Sequence, residues 1–354
     1  MSVKDLIKGY FLSAVTWKDT TIILGKSSGI YLYEAGRWCQ KTASGDAPYI
    51  VNEIATTVLG DAMYVLGGCV MHRNSRAVYS LNLNTWEWTQ FDPEGCRFTL
   101  DNSRGVYSWS YKGDIYLLGV MVGLPETWGL FRYKISANYW EKIDCEGDIP
   151  SIRYRGSTVL SGDAIFLFGG KDVSSWLHLN DLFMLDLPTM KWKMLHASSD
   201  TTALPSARKG QTLTPISRSK GLLIGGGVTE FSPHMCYKLA MDCWLLDFDE
   251  AKQGNETTSM WKKINVENFK GRISSRAVLE PVSQRLWLIG GFTNEITPPE
   301  VQKIAVNVVP LQVLSMECAA ENISEDDSRL KADKFPEKLK KDIEAFRSKL
   351  LSVL

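Results

Sequence analysis

Ala164-Ile-Phe-Leu-Phe-Gly-Gly170, a short apolar run that ends in two glycines, is the stretch that decides the fold. Related runs occur five more times, with their first glycine at positions 25, 67, 119, 225 and 290. The six copies are therefore 42, 52, 50, 56 and 65 residues apart. A period of about 50 residues is typical of a four-stranded propeller blade. The spacing predicts an all-β propeller with six blades.

Two further phrases accompany the glycine-ended runs. A strand that leads to a Trp follows each of the first five, as in 182–192, and a strand that ends in Gly-Asp precedes several, as in 157–163. Gly-Asp suits a hairpin turn that needs positive φ. The phrases together predict four strands per blade. The sixth copy lacks its Trp phrase, so we expect the segment Leu6–Tyr10 to supply the last strand and close the ring.

These repeats resemble the kelch family over about residues 10–309. The resemblance implies a six-bladed kelch β-propeller over residues 1–309. In such a scaffold the paired glycines allow close approach of neighbouring backbones, and the repeat Trp residues fill the space between adjacent blades. We therefore interpret both as structural residues.

From Pro310 the sequence changes to a helical period, and it predicts a helical tail over 310–354. One interpretation is a cap that packs back on the propeller. The other is a resemblance to the paired elongin-binding and cullin boxes of cullin–RING ligase receptors, with Ser315 where Cys is commoner. It implies elongin B/C and a cullin as partners, bound as a helix in a groove. The residues that carry this resemblance are Leu311, Leu314, Ser315, Ala319, Phe335, Pro336 and Leu339.

A kelch propeller followed directly by such a tail resembles the kelch domain-containing substrate receptors of elongin/cullin–RING ubiquitin ligases. The resemblance implies a substrate-recognition subunit that binds a protein degron, internal or carboxyl-terminal, on one propeller face. The alternative is a ligase-independent kelch scaffold for protein–protein interaction.

Basic residues gather at loop positions near the first strands of blades four to six, and Trp176 lies beside them outside the repeat Trp position. Each could be an ordinary solvated charge, but together they indicate a carboxylate-bearing ligand. The predicted ligand-binding residues are Arg153, Arg155, Lys171, Trp176, His178, Arg208, Lys209 and Arg276.

The family resemblance applies only in part to this set. Lys171 and His178 stand where receptors of this kind have pocket arginines, and Lys209 and Gly210 stand where they have Ser and Trp. Lys lacks the bidentate fork of Arg. The sequence therefore does not predict the diglycine specificity of the best-understood receptors.

Composition and charge argue against some classes of partner and favour certain compartments. The 354 residues contain 40 Lys and Arg against 40 Asp and Glu, and this balance argues against nucleic acid or an anionic membrane surface as the partner. The start of the chain has no signal-peptide pattern, and no apolar stretch approaches the roughly 20 residues of a membrane-spanning helix. Seven scattered cysteines without a CxxC pair favour a reducing compartment, the cytoplasm or the nucleus.

Catalytic patterns are missing from the sequence. The four histidines, at 72, 178, 196 and 234, lie in different contexts, and no Walker loop or HExxH motif occurs. We expect no enzymatic activity, no cofactor and no metal. A copper-containing propeller oxidase is the catalytic alternative, and it would need His and Tyr ligands near a reactive Cys.

Overall fold

The computed structural model describes most of the repeat region. The described residues are 13–25, 28–34, 37–50, 54–67, 77–96, 106–121, 127–196, 204–217, 219–224, 226–231, 237–253, 260–266, 269–279, 286–291 and 302–304. The chain divides into two units, Met1–Ala305 and Val306–Leu354, and every element below belongs to the first. The predicted closing segment Leu6–Tyr10 and the predicted tail 310–354 lie outside the described residues.

The first three sheets are four-stranded antiparallel blades. The first has β1 (Ser13–Trp17), β2 (Thr20–Leu24), β3 (Ile30–Glu34) and β4 (Arg37–Lys41). The short β5 (Ser44–Gly45) precedes the second, which has β6 (Ala55–Leu59), β7 (Ala62–Leu66), β8 (Val78–Asn82) and β9 (Glu87–Phe91). After β10 (Glu94–Gly95), the third has β11 (Tyr107–Tyr111), β12 (Asp114–Met121), β13 (Thr127–Lys134), a 3-10 turn (Ile135–Ala137) and β14 (Tyr139–Ile143).

Two further four-stranded blades and a smaller sheet follow. The fourth blade contains β15 (Glu146–Gly147), β16 (Arg153–Tyr154), β17 (Ser157–Ser161), β18 (Ala164–Asp172), β19 (His178–Asp186) and β20 (Lys191–Leu195). The fifth contains β21 (Thr212–Pro215), β22 (Lys220–Ile224), the hairpin β23 (Val228–Phe231) and β24 (Tyr237–Leu239), β25 (Cys243–Asp247), α1 (Phe248–Gln253) and β26 (Trp261–Ile264). The last sheet has β27 (Arg276–Leu279), β28 (Leu286–Ile289) and β29 (Gln302–Ile304).

Each short strand ties one blade to the next. β5, β10 and β15 pair in parallel with the outer strands β9, β14 and β20 of the following blade. The tie requires glycine, since a Cβ on Gly147 would lie 2.1 Å from the carbonyl oxygen of Trp192 and its φ is +82°. The repeat Trp therefore also marks where consecutive blades are joined.

The core lies between adjacent blades. Trp88, Trp140 and Trp192 are at most 2% exposed. Trp140 packs with Leu66 of β7 and Leu117 of β12, so residues of two blades share one apolar cluster. Burial of this apolar surface holds the blades together, and truncation of such a Trp to Ala typically costs about 3–5 kcal/mol. The scaffold interpretation of the repeat Trp residues agrees with this packing.

The last sheet lies between the fifth blade and the first. Its inner strand β27 contacts both β21 and β1, and Trp287 of β28 packs against Ile23 of β2. These findings confirm an all-β propeller with five four-stranded blades, to which a three-stranded sheet is added. A complete sixth blade and the helical tail remain predictions.

Two inserted elements account for the long separation between the glycine-ended run and the repeat Trp in the fifth blade. The sequence places 36 residues between Gly225 and Trp261, against 21 between Gly67 and Trp88. The β23–β24 hairpin lies between the second and third strands of this blade. α1 lies between the third and fourth strands.

Candidate functional site

The first strands of the sheets surround a cavity in the middle of the ring. It has a volume of about 240 Å³, and β1, β6, β11, β17, β21 and β27 all contribute to its walls. The walls carry many hydroxyl groups and two arginines, Arg155 and Arg276. Since strand residues alternate between two faces, the Ser and Thr that recur in the first-strand phrases are the sequence signal for this lining. We did not recognise it in the sequence.

Two of the predicted ligand-binding arginines are buried structural residues. Arg153 and Arg208 are 1% and 0% exposed, and each guanidinium binds both carboxylate oxygens of one aspartate, Asp181 or Asp242. Each also donates to the preceding Ser in a Ser-x-Arg sequence. Their donors are satisfied within the blade, so the prediction that they bind the ligand is corrected.

Two residues after Arg153, Arg208 and Arg272, which is also buried, the chain adopts left-handed φ. Arg155, Gly210 and Ser274 have φ of 56°, 73° and 57°. Their backbones form a chain of hydrogen bonds around the ring, from the Gly210 amide to the Arg155 carbonyl at 2.7 Å and from the Ser274 amide to the Gly210 carbonyl at 2.8 Å. These residues therefore occupy equivalent positions of three successive sheets, and only Arg155 among the three carries a charge.

Four predicted residues lie together on the fourth and fifth blades: Arg155, Lys171, His178 and Lys209, which we call the basic cluster. Partial burial, then the charges of Lys171 and Arg155, lower the pKa of Lys209. Partial burial, then Lys209 and Lys171, also lower the pKa of His178, against the opposite effect of its Thr229 hydrogen bond. The charges of Lys171 and Arg155 therefore disfavour the cationic form of Lys209, and an anion bound here would relieve this repulsion.

The imidazole of His178 has a defined orientation. Its Nδ1 lies 3.1 Å from the carbonyl oxygen of Thr229. Because a carbonyl only accepts, we assign the proton of the neutral ring to Nδ1, which leaves Nε2 as an acceptor. A second proton on Nε2 would turn this position into a donor for an anion.

A tight turn presents Trp176 beside the basic cluster. The Oδ1 atom of Asp172 accepts hydrogen bonds from the amides of Ser174 and Ser175, at 2.9 and 2.6 Å. The Ser151 hydroxyl, followed by these amides and the Ser175 hydroxyl, lowers the pKa of Asp172 to about 2. Trp176 is 62% exposed, and the ammonium of Lys171 lies 4.4 Å from the centroid of its ring. An apolar platform therefore adjoins the positive charge.

The remaining residues that we singled out in the sequence do not belong to the basic cluster. Arg276 is separated from the turn that carries Trp176 and lines the central cavity instead. Trp128, a second Trp outside the repeat Trp position, is partly buried against the core between the third and fourth blades. The tail residues predicted to bind elongin and cullin lie outside the described residues: Leu311, Leu314, Ser315, Ala319, Phe335, Pro336 and Leu339.

Three other features bear on the chemistry of the protein: metal ligands, cysteines and membrane-spanning helices. In the described part of the chain, no group of three or more His, Cys, Asp or Glu side chains could hold a metal ion. Cys39, Cys96, Cys145 and Cys243 form no disulfide bond with one another. None of the helices within the described ranges has the length and apolar character required to cross a membrane.

The comparison with protein families decides the classification. Residues 24–170 and 109–307 match the model of the KLHDC2/KLHL20/DRC7 kelch-repeats domain. The chain belongs to this kelch family. The kelch resemblance of the repeats is therefore confirmed.

Individual relatives of this kelch protein are distant. Kelch domain-containing protein 2 of Bos taurus is 26% identical over 232 residues, which are 58% of this chain and 55% of that protein. Kelch domain-containing protein 10 of Homo sapiens is 27% identical over 194 residues, 51% of this chain and 42% of that protein. Acyl-CoA-binding domain-containing protein 6 of Oryza sativa subsp. japonica is 27% identical over 225 residues, which are 61% of this chain and 33% of that protein. The chain thus spans one third to just over half of the curated relatives it matches.

Proposed function

We propose that this kelch protein recruits a protein substrate to a cullin–RING ubiquitin ligase and binds the degron at the basic cluster. One observation supports the location of the degron site. Among the described residues, no Asp or Glu oxygen lies within 4.0 Å of the ammonium group of Lys171 or Lys209. Half-buried cations without a carboxylate partner favour binding of an external one. The adjoining Trp176 and Leu177, 62% and 64% exposed, offer apolar contact to a peptide.

The ligase role rests on the tail sequence. We propose residues 1–309 as the propeller and 310–354 as a helical module that binds elongin B/C through Leu311 and a cullin through the segment at Phe335. The resemblance of 310–319 to an elongin-binding box supports this assignment, as does membership of a kelch family. The corresponding site of action is the cytoplasm, the nucleus or both. The propeller performs no chemistry in this scheme and raises the local concentration of substrate.

The ring itself is proposed to have six blades. β27, β28 and β29 occupy the positions of the first three strands of a blade, and β27 lies between β21 and β1. A fourth strand from the segment near Leu6–Tyr10 would complete this sheet and leave no open edge. Deletion of residues 1–12 should then lower the unfolding temperature, and an unchanged temperature would count against this closure.

The ligase proposal is tested by co-purification. Wild-type chain, Leu311→Ser and the control Leu330→Ser, which lies between the two predicted boxes, are each mixed with elongin B/C and a cullin. We expect the wild type and the control to retain both partners and Leu311→Ser to lose them. If the folded wild type binds neither, the ligase role fails and the ligase-independent kelch scaffold is the better description.

A further inference from the structure

Three residues of the fourth blade stand in a row across its sheet. Tyr154 of β16 lies opposite Lys171 of β18, and Lys171 in turn lies opposite His178 of β19. Residues directly opposite each other in antiparallel strands project on the same side of the sheet. Since neighbouring strands lie about 4.8 Å apart, the row is about 10 Å long, which is wider than a single carboxylate.

The two lysines of the basic cluster contact different aromatic rings. The ammonium of Lys171 lies 4.4 Å from the ring centroid of Trp176, whereas that of Lys209 lies 5.5 Å from the ring centroid of Tyr154. Lys209 reaches Tyr154 from the segment before β21, so it comes from the neighbouring blade. An ammonium group has three donors, and contact with a ring face leaves donors for an anion. The cluster therefore offers two separate cationic positions.

The positive charge of the basic cluster exceeds that of one carboxylate. Arg155, Lys171 and Lys209 carry three formal charges, and neither lysine ammonium has an Asp or Glu oxygen within 4.0 Å in the described ranges. After the larger effect of burial, Lys171 and Arg155 lower the pKa of Lys209. One bound carboxylate would offset only one of these charges, so a second carboxylate would still meet a positive site.

We propose that the degron presents two neighbouring carboxylates to the basic cluster, one at Lys171 and the other at Lys209; this assignment rests on the proposed function. A carboxyl-terminal Asp or Glu supplies such a pair through its side chain and its free end. Two acidic residues in alternate positions of an extended segment supply it internally, because their side chains point the same way. Both sources present the same chemistry to the two lysines.

The test is fluorescence anisotropy on the full chain with five labelled peptides that share the body Gly-Leu-Ser-Gly. Two peptides carry a pair of carboxylates: one ends in a free Glu, and the other ends in Glu-Gly-Glu with an amidated end. Two carry a single carboxylate: one ends in a free Gln, and the other in an amidated Glu. The fifth ends in an amidated phosphoserine and supplies one compact dianion.

We expect at least one of the paired peptides to bind at least tenfold more tightly than either single-carboxylate peptide, the effect of one further charge-assisted hydrogen bond. The paired peptide that binds more tightly identifies the source. Preference for the free Glu indicates a carboxyl-terminal degron, and preference for Glu-Gly-Glu indicates an internal one.

Charge-removing variants assign the two carboxylates to the two lysines. Lys171→Gln and Lys209→Gln should each reduce the advantage of the better paired peptide to about threefold or less, because one cationic position is lost. Lys193→Gln, at an exposed lysine of β20, is the matched control and should keep the full advantage. If Lys209→Gln fails to fold, Lys171→Gln provides the assignment alone.

Failure of the carboxylate pair and failure of the degron site give different results. If a single-carboxylate peptide binds as tightly as both paired peptides and Lys171→Gln weakens it, the site stands and the pair is wrong. If the phosphoserine peptide binds more tightly than both paired peptides, one compact dianion occupies the cluster and the pair is again wrong. If none of the five peptides binds, the basic cluster is not an anion site, and the degron site and the pair both fail.

Discussion

The guanidinium of Arg208 binds both carboxylate oxygens of Asp242, at 2.7 and 2.9 Å. Arg208 lies directly before the first strand of the fifth blade, and Asp242 lies directly before β25, the third strand in the sheet order of that blade. Asp242 also accepts from the indole of Trp244 at 2.7 Å. Arg153 and Asp181 repeat the pair in the fourth blade. The pair therefore links the segment at the first strand to the third strand of the sheet in the fourth and the fifth blade.

Removal of Arg208 should destabilise the propeller strongly. Arg208→Ala leaves the half-buried Asp242 carboxylate unpaired, and loss of one partner from a buried pair typically costs about 3–5 kcal/mol. Urea unfolding followed by tryptophan fluorescence measures the change. Arg37→Ala, an exposed arginine in β4, is the control and should change stability by less than about 0.5 kcal/mol. Equal stability of the two variants would show that the Arg208 pair is not structural.

The sequence was sufficient to predict the all-β propeller because its phrases recur at blade spacing. The close approach that the glycine-ended runs allow is present at Gly170, where an added Cβ would lie 3.0 Å from the amide nitrogen of Gly156. The α1 insertion in the fifth blade was not predictable in this way, since it occurs once and breaks the period.

The site was predictable only in part, because a sequence gives residue type and not direction. Arg153 and Arg155 are two residues apart and equally basic, yet Arg153 is buried on Asp181 while Arg155 lines the cavity. Positive φ at Arg155 separates the two side chains. The contact between Lys209 and Tyr154 joins two blades, which no local pattern reveals.

Charge reversal in the basic cluster should abolish recognition of a carboxylate. Lys171→Glu and Lys209→Glu are each expected to weaken, at least tenfold, the binding of those library peptides that the wild type binds. A synthetic peptide library, with free and amidated carboxyl ends, provides the measurement and distinguishes terminal from internal degrons. Lys193→Glu on β20 is the control, because this lysine is exposed on the same blade away from the cluster. Unchanged binding by both cluster variants would remove the cluster from the site.

His178 should make the stability of the fold depend on pH. Burial, Lys209 and Lys171 hold its pKa below the ordinary value of 6.5, so folding favours the neutral ring. The stability gained from the neutral ring is fully present above pH 6.5 and is lost as the pH falls toward the lower folded pKa. Unfolding free energy should therefore decline more steeply between pH 7.5 and about 5 in the wild type than in His178→Asn. His196→Asn, an exposed histidine after β20, should keep the wild-type slope, and the same slope in all three chains would contradict the prediction.

Asp172 should connect the acid stability of the fold with the presentation of Trp176. Its pKa of about 2 lies below the ordinary 3.8, so the hydrogen bonds to its carboxylate stabilise the folded state fully above about pH 4. That contribution is lost as the pH falls through 2. Asp172→Asn should cost about 1 kcal/mol at pH 7, because bonds to a charged acceptor are roughly twice as strong as neutral ones, and the difference from wild type should shrink below pH 4.

Urea unfolding at pH 7 and pH 3 measures this difference. Asp144→Asn, an exposed aspartate after β14, is the control. Because the turn also positions Trp176 over Lys171, Asp172→Asn should weaken binding of any peptide that Trp176→Ala weakens. A variant that loses stability but binds such peptides as the wild type does would show that the turn is structural and does not position the ligand.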